Sequence, residues 1–141
     1  MTSQSITAGV HHVGLTVPNV IETAAFFVDV LGFKKVGARA GYPVIFVKDK
    51  VVVISLWQVQ DAEAVVAFER KNTVGLHHLA LVLDRDPGLD AIHARLLSKP
   101  EVEIEFSPEW LGSGPSRHMM CSIPGGIRLE LIVPETWSEN T

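Results

Sequence analysis

The chain has 141 residues, 47% of them apolar and 20% charged, which fits one ordinary globular domain or two small halves that depend on each other. A net charge of −4, a pI near 5.8 and scattered lysines and arginines give no basic footprint, so nucleic acid and anionic membranes are poor partners and a small molecule is the better default. Cys121 is the only cysteine, so there is no internal disulfide; the start, Met1-Thr2-Ser3-Gln4-Ser5, lacks a signal-peptide pattern and no apolar run is long enough to span a bilayer, which leaves a cytoplasmic location by default.

Val10 to Val17 reads as a strand that stops at Pro18, and Asn19 is placed to cap a helix with Glu22 three residues on. Val20, Ile21, Ala24, Phe27, Val28 and Leu31 recur at helical spacing, and Gly32 can end the helix in the left-handed conformation. Strands are predicted from Phe33 to Ala38, Tyr42 to Val47 and Val51 to Gln58, so the first module, residues 9–58, is βαβββ. Residues 59–74 form the linker, with a short amphipathic helix expected from Asp61 to Lys71.

The second module, residues 75–134, opens on a strand from Leu76 to Leu83, then a helix capped by Asp86 with Pro87 at its first position and Leu89, Ile92, Leu96 and Leu97 as its apolar stripe. Glu101 to Phe106 alternates as a half-exposed strand does. Ser107 to Ser116, with two prolines and two glycines, reads as a loop long enough to cover a site. Arg117 to Ile123 and Ile127 to Val133 flank the hairpin turn Pro124-Gly125-Gly126, which completes a second βαβββ unit.

The chain also repeats itself in letters. Gly75-Leu76-His77-His78-Leu79-Ala80-Leu81-Val82 rewrites Gly9-Val10-His11-His12-Val13-Gly14-Leu15-Thr16, at a spacing too long for a solenoid repeat. Alternation along a strand turns one histidine of each pair inward and its neighbour outward. Two inward imidazoles from two similar strands can meet at one site.

With these motifs in this order, the chain resembles the vicinal oxygen chelate superfamily of glyoxalases, bleomycin-resistance proteins, fosfomycin-modifying enzymes and ring-cleaving dioxygenases. The resemblance rests on His12-Val13-Gly14-Leu15-Thr16-Val17-Pro18, Val30-Leu31-Gly32-Phe33, His78-Leu79-Ala80-Leu81-Val82 and Pro124-Gly125-Gly126-Ile127-Arg128-Leu129-Glu130-Leu131. It implies an α+β fold of two tandem βαβββ modules, a curved mixed sheet around a metal-site cleft, often completed in a homodimer. It further implies ligands for a divalent metal at His12, His78 and Glu130, with His11 and His77 on the other side of their strands. Ser55 stands where members with four protein ligands carry a stronger donor, so the resemblance implies an open site of two imidazoles and one carboxylate, suited to Fe, Mn, Zn, Co or Ni.

Other residues acquire candidate roles from this frame. Met120, ten residues before Glu130, falls at a position that faces the pocket in the family, and alternation gives His118 the same face, as a general acid or base or as a histidine that only hydrogen-bonds. Trp57 shares the face of Ser55, as a pocket wall or as core; Trp110 is a candidate to close over a ligand; Arg128 is placed to orient Glu130 or bind an anionic substrate, or else is solvated. The implied function is a metal-dependent lyase or isomerase, thiol transferase or ring-cleaving dioxygenase acting on a small oxygenated substrate. The alternative is a non-catalytic drug- or metabolite-binding protein of the bleomycin-resistance type.

Overall fold

Alternation organises the first unit. The computed structural model describes residues 4–84 and 88–134 and divides into two compact units, Met1–Glu63 and Ala64–Thr141. In the first, β1 (His12–Val17) buries Leu15 and Val17 while His12, Gly14 and Thr16 stand on the opposite face. β1 pairs in parallel with β4 (Val53–Gln58), which runs antiparallel to β3 (Val44–Lys48), itself antiparallel to β2 (Lys34–Arg39), giving the order β1-β4-β3-β2.

Helix α1 (Val20–Ala25) joins the two edge strands and packs on β3 and β4. Its start is fixed twice. Asn19 Oδ1 accepts from the amides of Ile21 and Glu22, both at 3.1 Å, as the sequence predicts, and Gln58 of β4 accepts from the Val20 amide at 3.0 Å and donates to the Pro18 carbonyl. The expected single helix instead continues as a π-helical turn, Phe26–Val30, whose wider winding brings Phe26, Phe27 and Val30 all into the core, and Gly32 ends it at φ +78°.

The second unit repeats this topology with β5 (Leu79–Val82), α2 (Leu89–Leu97), β6 (Glu103–Trp110), β7 (Arg117–Ser122) and β8 (Arg128–Val133) in the order β5-β8-β7-β6, β5 and β8 being parallel. Leu89, Ile92 and Leu96 of α2 are buried, as are Met119, Cys121, Leu129 and Leu131 of the strands it contacts. Arg117 of β7 clasps Asp90 of α2 through both guanidinium nitrogens at 3.2 Å, which holds the exposed Asp90 carboxyl below its ordinary pKa. The two βαβββ units make the α+β fold expected from the sequence. The hairpin also forms as expected: the Gly126 amide reaches the Ile123 carbonyl at 2.9 Å, with Pro124 and then Gly125 at φ +102° in the central positions, as a type II turn requires.

Three further expectations change, and one cannot be compared. Leu97 is 62% exposed, because residues next to each other on a helix diverge by about 100° and Leu96 already takes the inward direction. The linker helix reduces to a 3₁₀ turn, Ala62–Ala64: the Asp61 carboxylate, the Glu69 carboxylate and the Thr73 hydroxyl each bond a nearby amide and so compete with helical pairing. Strand β6 runs on to Trp110 through two irregularities, absorbing Pro108 as an edge strand can, and leaves only 111–116 as loop. The expected cap Asp86 and Pro87 lie outside the described residues, and α2 is described from Leu89 onward. Among the described residues no helix is long and apolar enough to cross a membrane.

Two outcomes check this packing. Asn19→Ala should destabilise the protein by about 1 kcal/mol in denaturant titration, against about 2–5 kcal/mol for Leu131→Ala in the core. Burial pushes the Cys121 thiol up to about 12, so it should resist a thiol reagent at pH 8 until the protein is unfolded.

Candidate metal and substrate site

In the second unit the strand register lines up a row of side chains across one face. Ala80 of β5 lies opposite Glu130 of β8, and Glu130 lies opposite Met120 of β7; one step along, Ile132 lies opposite His118. The other face, carrying Met119, Cys121, Leu129 and Leu131, belongs to the core. Glu130 is therefore a carboxylate set into a sheet, only 9% exposed. Burial of that kind is costly unless both oxygens find partners. They do: His78 Nε2 lies 3.1 Å from Oε1, and His118 Nδ1 lies 3.1 Å from Oε2. The Phe106 ring packs on the His118 ring at 4.9 Å between centroids, and Glu109 Oε1 stands 3.7 Å from its Nε2.

His77 and His78 precede β5, so strand alternation does not separate them as expected. Their rings meet edge to face at 5.0 Å, with the two Nδ1 atoms 2.8 Å apart. Arg128 approaches the same place. Its Nη1 is 3.0 Å from the His77 carbonyl oxygen and 3.2 Å from His77 Nδ1, while Nη2 donates to Glu105 Oε2 at 2.8 Å and Arg70 pairs with the other Glu105 oxygen. The hydrogen bond from Arg128 holds the Glu105 carboxyl below its ordinary pKa. Arg128 thus shares the strand face of Glu130, but its hydrogen bonds go to His77 and Glu105. A cavity of about 170 Å³ beside Glu103, Glu105, Ser122 and Arg128 falls below the roughly 300 Å³ at which ligand pockets begin, so it is not a substrate pocket by itself.

The first unit carries the matching positions with different chemistry. Gly14 lies opposite Ser55 as Ala80 lies opposite Glu130, so Ser55 is the counterpart of the carboxylate. Its hydroxyl is already engaged: it donates to the Val13 carbonyl at 3.4 Å and accepts from Trp57 Nε1 at 3.0 Å. A Cβ on Gly14 would fall 3.3 Å from that hydroxyl, which explains the glycine. Trp57 is backed by Tyr42 at 4.9 Å, so an aromatic pair rather than a charge occupies this part of the face. His12 stands exposed on the same face with its Nδ1 2.9 Å from that of His11.

Trp110 ends β6 rather than sitting in the loop. Its ring is 59% exposed, lies where a Cβ on Gly114 would come within 3.3 Å, and has the Arg117 guanidinium over it at 5.8 Å. Tyr42, Phe106 and Glu109 escaped the sequence reading. Tyr42 had only its place beside Pro43 as a signal, Phe106 only its place at the end of the expected strand, and Glu109 was hidden by the misread extent of β6.

Two donors about 2.1 Å from a metal and at right angles to each other lie about 3 Å apart, so the His78 Nε2 and Glu130 Oε1 pair suits adjacent coordination positions. Among the described residues no group of three or more histidine, cysteine, aspartate or glutamate side chains gathers as a metal site. What the second unit shows is a close imidazole–carboxylate contact between His78 and Glu130, and His12 begins the equivalent strand of the first unit.

The model of the Glyoxalase/Bleomycin resistance protein/Dioxygenase superfamily matches residues 9–131. Solved structures similar to this chain include a glyoxylase/bleomycin resistance protein/dioxygenase domain from Frankia sp. EAN1pec, with TM-score 0.76 and 20% identity over 91% of this chain and 98% of that one. Another is the lactoylglutathione lyase from Agrobacterium tumefaciens, with TM-score 0.70 and 20% identity over 94% and 98%. A glyoxalase family protein from Enterococcus faecalis gives TM-score 0.73 and 20% identity over 91% and 99%. A sequence search of curated proteins finds no significant match. At these identities the structures speak for the fold alone, but the family model spans most of the chain and agrees with the duplicated βαβββ topology: the chain belongs to the Glyoxalase/Bleomycin resistance protein/Dioxygenase superfamily.

Proposed function

We propose that this chain is a metal-dependent enzyme acting on a small oxygenated substrate, as a lyase or isomerase, thiol transferase or ring-cleaving dioxygenase. The observation that carries the reading is Glu130, a buried carboxylate between Leu129 and Leu131 whose Oε1 faces an imidazole nitrogen at a distance suited to a shared cation. His78 and Glu130 would hold a divalent ion, Fe, Mn, Zn, Co or Ni, with His12 as third donor and the remaining positions open. A divalent ion bound there supplies Lewis-acid stabilisation of negative charge developing on a substrate oxygen.

The chain's own groups do the rest. Met120 and Ala80 flank Glu130 with apolar surface that limits water, and Trp57 with Tyr42 offers an aromatic wall for a planar or apolar part of the substrate. His118 holds Glu130 through Nδ1 and keeps Nε2 as the nitrogen able to exchange a proton with a ligand, in competition with Glu109. The small substrate is the partner, and a homodimer is the assembly we propose.

A second reading, a non-catalytic binding protein of the bleomycin-resistance type, draws support from the lack of a three-donor cluster among the described residues and from the Ser55 hydroxyl being committed to Trp57.

Elemental analysis of protein purified without chelator separates the two. The enzyme reading expects about one divalent metal per chain and, at metal concentrations about a hundredfold above Kd, an added stability of about 2.7 kcal/mol. His78→Ala and Glu130→Gln should each abolish both. Wild-type protein with no stoichiometric metal and no metal-dependent stabilisation would favour the binding protein. Anaerobic assays of catechols and methylglyoxal–thiol adducts with the metal found then address the reaction.

A further inference from the structure

The lysines and arginines are scattered along the chain, but folding sorts them. The sheet of the first unit carries Lys34, Lys35, Arg39 and Lys48 and no aspartate or glutamate on any of its four strands, in a chain whose net charge is −4. The register puts three of these cations on the face of Ser55 and Trp57. Lys34 lies opposite Lys48, two residues along β3 from Phe46, and Arg39 lies opposite Val44, which in turn lies opposite Trp57. Like charges directly opposite each other on a sheet repel, so the Lys34 and Lys48 pair disfavours the fold slightly and leaves that end of the face positive. Arg39 is also set apart by its contact. Arg70, Arg117 and Arg128 are each paired with a carboxylate, whereas the exposed Arg39 guanidinium lies over the Phe46 ring, 5.7 Å from its centroid.

The rings on this face are held by the protein itself. Trp57 donates through Nε1 to Ser55 Oγ at 3.0 Å, Tyr42 backs it at 4.9 Å between centroids, and Phe46, opposite Ser55, is a diagonal neighbour of Trp57. The row through Ser55 and Phe46 ends in Gly14 on one side and Gly37 on the other, so no side chain rises at either flank. Phe46 and Trp57 are half-buried and Tyr42 is 48% exposed, which leaves aromatic surface open to a ligand. An arginine fork beside such a surface suits a carboxylate, which it receives through two parallel hydrogen bonds. We propose that this face of the first unit is a binding platform for a planar aromatic carboxylate, its ring laid against Phe46 and Trp57 and its carboxylate received by Arg39. A neutral ring would leave the cations unanswered, and an aliphatic anion would leave the rings uncovered. That this ligand is the substrate rests on the proposed function; the platform itself needs no metal, and the experiment reads the two separately.

In chelator-treated wild-type protein, calorimetry should find benzoate bound about tenfold more tightly than benzamide, its uncharged counterpart of similar shape. Cyclohexanecarboxylate keeps the charge but lacks the planar ring, and should bind about threefold more weakly than benzoate. Arg39→Gln should erase the preference for benzoate over benzamide while leaving benzamide affinity and the thermal midpoint nearly unchanged, because the side chain is exposed. Phe46→Leu should erase the preference for the planar ring and keep the preference for charge. No benzoate binding, equal affinity for benzoate and benzamide, or Arg39→Gln with benzoate affinity unchanged would overturn the platform. Benzoate binding that appears only after metal is loaded would also overturn it, while leaving the metal-enzyme reading intact. Benzoate binding that Arg39→Gln weakens, in a protein that takes up no metal, would uphold the platform and overturn the metal-enzyme reading.

Discussion

A carboxylate set into a β-sheet constrains everything around it. Glu130 is an acceptor with no proton to give when ionised, it is nearly buried, and its strand neighbours Leu129, Leu131 and Ile132 are core. Such a group persists only if the surrounding elements deliver donors or a cation to both oxygens. The second unit is arranged to do so. Parallel pairing of β5 with β8 brings the start of β5 alongside Glu130, and antiparallel pairing of β7 with β8 brings His118 from the other side. The parallel pair exists because α2 and the two strands after it carry the chain away from β5 and back beside it. The topology is thus the means by which residues distant in sequence meet at one carboxylate.

The duplication shows what that constraint is worth by relaxing it once. Both units have the same strand order and the same register between first and last strand, yet Ser55 stands where Glu130 does. With no charge to neutralise, the first unit fills the space with Trp57, which donates to the serine hydroxyl and stacks with Tyr42. The face of the second unit is therefore polar around Glu130, and that of the first unit aromatic around Trp57.

Much of this was legible in the sequence. Letter repetition around the two His-His pairs, Asn19 as a cap, Gly32 as a helix stop and Pro124-Gly125-Gly126 as a turn each rest on local chemistry that tertiary contacts did not override. Period-two alternation placed His118, Met120 and Glu130 on one face, as the register has them. What failed lay where local and tertiary preferences compete. Phe26 and Phe27 both seek the core and take a π-helical turn; Pro108 and its neighbours read as loop but extend an edge strand; the linker has helical composition but binds its own side chains. The partners of Arg128 were not legible either, since Glu105 lies on a strand whose irregular register hides which residues face which.

The central claim is that His78 Nε2 and Glu130 Oε1 share a metal ion. Anomalous diffraction at the cobalt edge from crystals of the full chain loaded with Co(II) tests it most directly. The account predicts an anomalous peak about 2.1 Å from both atoms. A peak elsewhere, or none beside Glu130 in crystals that contain cobalt, would contradict it.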